Sequence, residues 1–483
     1  MKKITLLFII FLMSSVLIAC QKTTTTVSTT TEPLAISDIV TALDNPLDIG
    51  LFITETPETS VGINFKMSSE TNAYVEYAKD GITTFTKVDA TKKTTTVGKK
   101  VVYLFEAEMS GLEQGESYSY RVSNEDASEV SDIYHFTMPS NTGDSFTFMY
   151  LADPQENAEI GYMAYAYSVL NVLEYSQADF DFVMSPGDFV DDADIKSEWD
   201  WFYQYSAFYI TEKPLIATIG NHEVNGIGTD VVNNLEFDGY LNLPNNGPVY
   251  DAFDELEGDM RSSNFDDGKT YSFNYGNAHF IAIDTEMFCD GSTACTAYDH
   301  SNVEILKSWI QNDLESNDLT WTIVLLHRGP YGLSYDSASV RDNLIPIFDE
   351  FNVDLVLSGH DHQYSRSVYL ENAMVPFQTS NLYSKGLITL IDSAVLNNNF
   401  NHYASSIGVT YVTGNTVSTK FYGGDKSSGI QVNYKFLDEN PVIPFITVTA
   451  DSIHVVSYGV SKDYALAIVP TGVYILEEFT ITK

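Results

Sequence analysis

Apolar and polar positions alternate with a period of two along residues 46–139. The runs are short and separated by turn residues: Leu51–Thr54, Val61–Lys66, Ala73–Tyr77, Val101–Met109, Ser117–Val122 and Ile133–Thr137. Side chains two apart share one face of a strand, so this pattern predicts an all-β domain over 46–140. Tyr118, Tyr120 and Val122 then lie on one face. After Pro139 the rhythm changes. Short apolar runs alternate with longer helical patterns: Phe146–Leu151, Ala158–Ser176, Phe182–Ser185, Ser197–Ile210 and Leu215–Ile219, then Phe280–Asp284, Val303–Leu314, Thr322–Leu326, Val340–Phe351 and Leu355–Leu357. Strands separated by helices pair in parallel, which predicts an α/β domain over 145–483. Gly226–Lys269 interrupts the alternation and is acidic (Asp251, Asp254, Glu255, Glu257, Asp259, Asp266, Asp267), as expected of a solvated excursion rather than a calcium site. Residues 408–483 return to strand-like patterns and stay with the α/β domain.

The amino terminus carries an address. Lys2 and Lys3 precede an apolar stretch, Ile4–Leu17, too short to span a bilayer as a mature helix and suited to a secretory signal over 1–19. It ends Leu17-Ile18-Ala19-Cys20, which resembles the bacterial lipobox and implies that Cys20 is lipidated. A plain secretion signal with an incidental cysteine is the other reading. Residues 20–45 include seven threonines between Thr23 and Thr31. They bury too little to offset their ordering entropy and read as a tether. The expected location is the outer face of a bacterial membrane, held by the Cys20 lipid, or free secretion.

Composition narrows the rest. A chain of 483 residues exceeds one ordinary core, and 44% hydrophobic with 13% aromatic residues excludes a mainly disordered protein. Acidic residues number 66 against 25 basic, a formal charge of −41. Such a polyanion repels nucleic acid, so nucleic-acid binding is excluded as its main role. An anionic substrate requires concentrated positive charge at the site. Cys289 and Cys295 would close a short loop worth roughly 2 kcal/mol in an oxidising compartment; two free thiols are the alternative. A metal site there is disfavoured, because the spacing is not C-x-x-C and His300 is the nearest histidine.

Polar clusters fall just past the carboxyl ends of the expected strands: Asp153-Pro154-Gln155, Gly187-Asp188-Phe189-Val190-Asp191, Gly220-Asn221-His222-Glu223, His327-Arg328-Gly329-Pro330 and Gly359-His360-Asp361-His362. That edge is where open α/β sheets build their sites. Each cluster alone is a turn or a cap. Five in this order resemble the calcineurin-like metallophosphoesterases, with D-x-[HQ], GDxx[DNY], GNH[DE], an isolated histidine and GHxH. Within that superfamily they are similar to the purple acid phosphatase-like branch, through His327-Arg328-Gly329-Pro330 and the ending Gly359 to Arg366 with Tyr364. The branch carries an N-terminal sandwich of immunoglobulin or fibronectin type III kind, which residues 46–140 also resemble; a tyrosine near the position of Tyr118 is a hallmark there.

The resemblance implies a metallophosphoesterase-type β-sandwich flanked by helices, and two divalent ions. One ion would be held by Asp153, Gln155, Asp188 and His362, the other by Asp188, Asn221, His327 and His360, with Asp188 bridging. Such a pair clamps the attacking and leaving oxygens of an in-line displacement, and its charge attracts phosphate despite the acidic chain. His222, with Asn221, would face the substrate and protonate or stabilise the leaving group, and Asp191 would hold the other imidazole nitrogen. Arg328 binds a phosphate oxygen or makes a structural ion pair; Arg366 reads as structural. The implied function is a phosphomonoesterase attacking phosphorus with a metal-bound hydroxide. Alternatives are a phosphodiesterase on the same site, or a surface adhesion lipoprotein with a non-catalytic scaffold. Two departures argue against a tyrosinate–iron(III) centre: Asp191 stands where purple enzymes have tyrosine, and Gln155 where they have glycine. Nitrogen and oxygen ligands without thiolate suit Mn, Zn or Fe. A phosphorylated small molecule is the expected substrate, and no protein partner is identifiable.

Overall fold

The computed structural model describes residues 45–140, 145–224, 235–250, 269–288, 300–370, 373–374, 400–404, 408–422, 434–436, 438–461 and 472–483. The signal segment, Cys20, the tether, Cys289 and Cys295 lie outside these residues, as does most of Gly226–Lys269. Among the described residues, no helix is long and apolar enough to cross a membrane.

Two large sheets share one core. At the centre of the first, Ser145–Tyr150, Phe182–Ser185 and Leu215–Ala217 run parallel, and Val442–Thr449, Ser452–Val460 and Val473–Thr482 continue it antiparallel. In the second, Ala278–Ile283, Trp321–Arg328, Leu355–Gly359 and Val409–Thr413 are parallel neighbours. Their facing sides interlock through aromatic rings: Phe148 stacks on Phe182 at 5.2 Å, Phe273 on Phe280 at 4.9 Å, and Phe182 meets Phe280 edge-on at 5.8 Å. Helices Glu159–Ser176 and Lys196–Ile210 cover the outer face of the first sheet, and His300–Ser316 with Ala338–Glu350 cover the second. With both faces covered, the parallel strands are mostly apolar, as in Ala278–Ile283, which is wholly buried and apolar except for His279.

The amino-terminal residues are more than a spacer. Gly50–Phe52 pairs parallel with Leu215–Ala217, and Ser60–Met67, Lys100–Ser110 and Thr91–Val97 follow it antiparallel. One sheet of eleven strands therefore runs through both parts of the chain. A second sheet of four strands closes the amino-terminal core over Tyr118, Tyr120 and Val122, all buried as the alternation predicts. The Tyr118 hydroxyl accepts the Glu113 N–H at 2.8 Å and so braces the turn that precedes its strand. Thr86–Asp89 and Thr91–Val97 were not anticipated; they are largely exposed and carry few apolar residues. Tyr271–Tyr275 was also missed.

The acidic excursion is corrected in part. Leu235–Tyr240 is a short helix whose Phe237 and Tyr240 are buried, and the Gly239 carbonyl accepts Asn64 Nδ2 at 2.8 Å. Buried Lys269 pairs with Asp238. This part of the excursion is a clamp between the two portions of the chain.

Behind the last motif, fully buried Arg366 pairs with Glu477, which also accepts the Tyr364 hydroxyl at 2.9 Å. The pair ties the second sheet to the last strand of the first. Removing one partner of such a pair leaves a buried charge unbalanced, costing about 3–5 kcal/mol. Glu477→Gln is expected to lower stability by about that amount in urea unfolding; a loss under about 1 kcal/mol would show that the pair does not hold the sheets together.

Candidate metal centre

The strands end in bent backbone. Among the described residues, eight non-glycine positions have positive φ, and four of them are Asp153 (49°), Asp188 (55°), His360 (67°) and His362 (50°). Left-handed backbone is unfavourable for side chains other than glycine and persists where its surroundings enforce it. Here it swings carboxylates and imidazoles off the sheet edge toward one point. Glycines make the approach possible: a Cβ on Gly220 would lie 2.2 Å from Asp188 Oδ1, and one on Gly359 2.6 Å from Asp153 Oδ2.

Two donor sets meet at that point. Ligand atoms of Asp188, His327 and His360 lie within 4.8 Å of one another, as do those of Asp153, Asp188 and His362. Asp188 belongs to both. Asn221 Oδ1 is 3.0 Å from His327 Nε2, which is 3.3 Å from Asp188 Oδ2. The imidazoles are oriented from behind: His327 Nδ1 donates to the Pro186 carbonyl at 2.9 Å, and His362 Nδ1 donates to the Lys420 carbonyl. Each thereby turns Nε2 inward. Thr416 accompanies Lys420 on this segment and donates to the Asp153 carbonyl at 2.7 Å.

The loops are pinned by acids that face away from the centre. Buried Glu223 accepts the N–H groups of Asp188 (2.8 Å), Phe189 (2.6 Å) and Gly220 (2.9 Å), locking two motifs together. Glu198 accepts those of Asp191 and Asp192, both at 2.8 Å. Asp361, between the two histidines of its motif, accepts from Leu333, Ser334 and Tyr335.

Three expectations change. His222 Nδ1 is 2.5 Å from the main-chain carbonyl of Asp191 and 3.7 Å from its carboxylate, which instead pairs with Lys420. The backbone, not the acid, holds the imidazole. Arg328 forms a two-pronged ion pair with Glu286, at 2.8 Å on each prong, and donates from Nη1 to His360 Nε2 at 3.0 Å. The structural pair of its two readings is thus present. Gln155 is inside the centre, but its amide nitrogen faces Asp188 Oδ2 (3.1 Å) and His362 Nε2 (2.9 Å), while its oxygen accepts from Lys420 Nζ at 3.3 Å. Glu223 belonged to a recognised motif without a role. Lys420, Tyr422 and Tyr335 had no local pattern to mark them.

The donor set fits cations. Asp153 and Asp188 are buried, and Asp153 Oδ2 has no hydrogen-bond partner. Burial pushes the Asp153 carboxyl up to about 8. Burial would raise Asp188 too, but the imidazoles around it, His327 foremost, hold it well below the usual carboxylate range. Against the effect of burial, Asp188 drives His327 up to about 9. Burial holds His362 down to about 4, and burial with Arg328 holds His360 well below its usual value. Protons on Asp153 and His327 thus supply part of the positive charge that ions would bring. Two carboxylates, three imidazoles and amides, with no thiolate, suit metals of intermediate hardness.

The chain is similar to known proteins. Residues 131–364 match the calcineurin-like phosphoesterase family, and residues 46–138 the purple acid phosphatase N-terminal domain. An uncharacterized protein of Mycobacterium tuberculosis is 26% identical over 193 residues, covering 37% of this chain and 32% of its own. The acid phosphatase of Aspergillus ficuum is 26% identical over 320 residues, covering 55% of this chain and 47% of its own. The chain thus spans between a third and a half of the length of these relatives. The structure of purple acid phosphatase PPD1 from yellow lupin seeds superposes with a TM-score of 0.66 at 15% identity, covering 90% of this chain and 74% of that one, a likeness of fold. With the fold, the order of motifs and both matches in agreement, the chain carries a calcineurin-like metallophosphoesterase domain and, ahead of it, a purple acid phosphatase N-terminal domain.

Proposed function

We propose that the protein hydrolyses phosphomonoesters with two divalent ions, Mn, Zn or Fe. The observation that carries this reading is the pair of donor sets sharing Asp188. Asp153, Asp188 and His362 would hold one ion; Asp188, Asn221, His327 and His360 would hold the other. Gln155 would join the first set after a half-turn of its amide. When bound, the ions supply a nucleophile from water at neutral pH and clamp the attacking and leaving oxygens. The rest falls to this chain. His222, with Nδ1–H fixed on the Asp191 carbonyl, would in its imidazolium form present Nε2–H to the leaving oxygen, to give it that proton or offset its charge. Arg328, fixed by Glu286, keeps His360 in place. Lys420 takes the Asp191 carboxylate, so that His222 is positioned by a neutral acceptor. Asp191 in place of tyrosine supports a colourless centre. The reading extends to location: a lipid on Cys20 and the threonine-rich tether would hold the enzyme outside a bacterial membrane.

Replacing the shared carboxylate tests this directly. Asp188→Asn is expected to lower metal content and to reduce turnover of an aryl phosphate by about 100- to 1,000-fold, the scale of a lost transition-state contact. If wild type and variant are equally inert over a panel of divalent metals, the domain is a scaffold. Acidity gives a second test. In the metal-free protein Asp153 (about 8) and His327 (about 9) both carry a proton at pH 7, and both must release it to coordinate. Metal affinity should therefore rise with pH and level off above about 9, with about two protons released by these residues per protein at pH 7 and any further proton coming from metal-bound water. Titration calorimetry in buffers of different ionisation heat measures that number; none released would contradict the assignment of these two residues.

A further inference from the structure

Two tyrosines stand directly against the ligand histidines, and the mechanism above uses neither. The Tyr422 ring stacks on His362, with centroids 4.2 Å apart and planes 18° off parallel. Tyr335 meets His360 edge-on at 5.6 Å and Tyr422 at 5.2 Å. The four rings form a continuous wall along one side of the centre. Tyr335 is 42% exposed, among the few large hydrophobic side chains of the described residues that reach solvent to that degree.

The wall is built into the motif. Asp361 and Gln363 alternate with the histidines along His360-Asp361-His362-Gln363. Asp361 accepts the Tyr335 N–H at 2.8 Å together with those of Leu333 and Ser334, and Gln363 Nε2 donates to the Tyr422 carbonyl. The residues that aim the imidazoles inward are thus interleaved with those that hold the tyrosines at the rim. An aromatic pair fixed in this way loses little entropy when a flat group settles on it. Offset or edge-on ring contacts contribute about 0.5–1.5 kcal/mol beyond area burial.

We propose that Tyr335 and Tyr422 form a subsite for an aromatic ring on the leaving alcohol, so that the preferred substrates are phosphoesters of phenols or of nucleosides. The inference rests on the phosphoesterase reading and adds a substrate class to it. A phosphate placed between the two donor sets would lay its ester substituent along the wall, where a ring stacks and a short alkyl chain gains little.

The test compares phenyl phosphate, a nucleoside 5′-monophosphate and glycerol phosphate on wild type, Tyr335→Leu and Tyr335→Phe. Tyr335→Leu is expected to lower kcat/KM about 10-fold for whichever aromatic ester the subsite serves and less than about 2-fold for glycerol phosphate, with Tyr335→Phe near wild type. A loss confined to phenyl phosphate identifies the phenol, and one confined to the nucleotide the base. Equal losses on all three esters, or none, overturn the proposal. Binding of phenylphosphonate and methylphosphonate to the metal-loaded protein, by titration calorimetry, separates this inference from the one beneath it. If wild type turns over no ester, the hydrolase reading fails. The subsite then stands only if phenylphosphonate binds about 10-fold tighter and loses that margin in Tyr335→Leu; equal affinities overturn it.

Discussion

Two carboxylates buried side by side govern this structure. Charge of one sign costs several kcal/mol per group when removed from water without compensation. Asp153 and Asp188 are both taken out of water at the bottom of the centre, and Asp153 keeps one oxygen without a partner. Much of the surrounding architecture exists to tolerate that cost: left-handed backbone, glycines with no room for a methyl, and imidazoles aimed from behind by main-chain carbonyls. Positive charge must arrive from somewhere. Without ions it comes as protons, held at Asp153 and His327.

The same requirement bears on the anionic substrate proposed for so acidic a chain. The formal charge of −41 acts at long range and is screened by salt. The centre acts at contact distance and is shaped by acids that point outward. Glu223, Glu198 and Asp361 spend their charge on backbone N–H groups and so orient loops rather than repel a phosphate.

Much of this was legible in the chain. Period-two runs located most strands within a residue or two because each has one buried face, and the motifs stood out because each follows a strand. Thr91–Val97 escaped because an exposed strand rich in lysine and threonine has no apolar alternation to read. The contact of Asp191 with His222 was legible only in part: spacing brings the residue there but does not say that the carbonyl comes nearer than the carboxylate. The partner of Arg328 could not be read, because Glu286 comes from a distant strand end. Lys420 and Tyr422 lie far beyond the last motif in an unremarkable stretch, and only the return of the chain past His362 brings them to the centre.

The parallel pairing of Gly50–Phe52 with Leu215–Ala217 has a consequence for how the parts of the chain depend on each other. Leu215–Ala217 leads straight into Gly220-Asn221-His222. Cut residues 45–140 away and that strand becomes a bare sheet edge, its unpaired amides a template for another chain. The amino-terminal domain is therefore a lateral seal on the phosphoesterase sheet, and a fragment beginning at Ser145 would expose an adhesive margin a few residues from its own ligands.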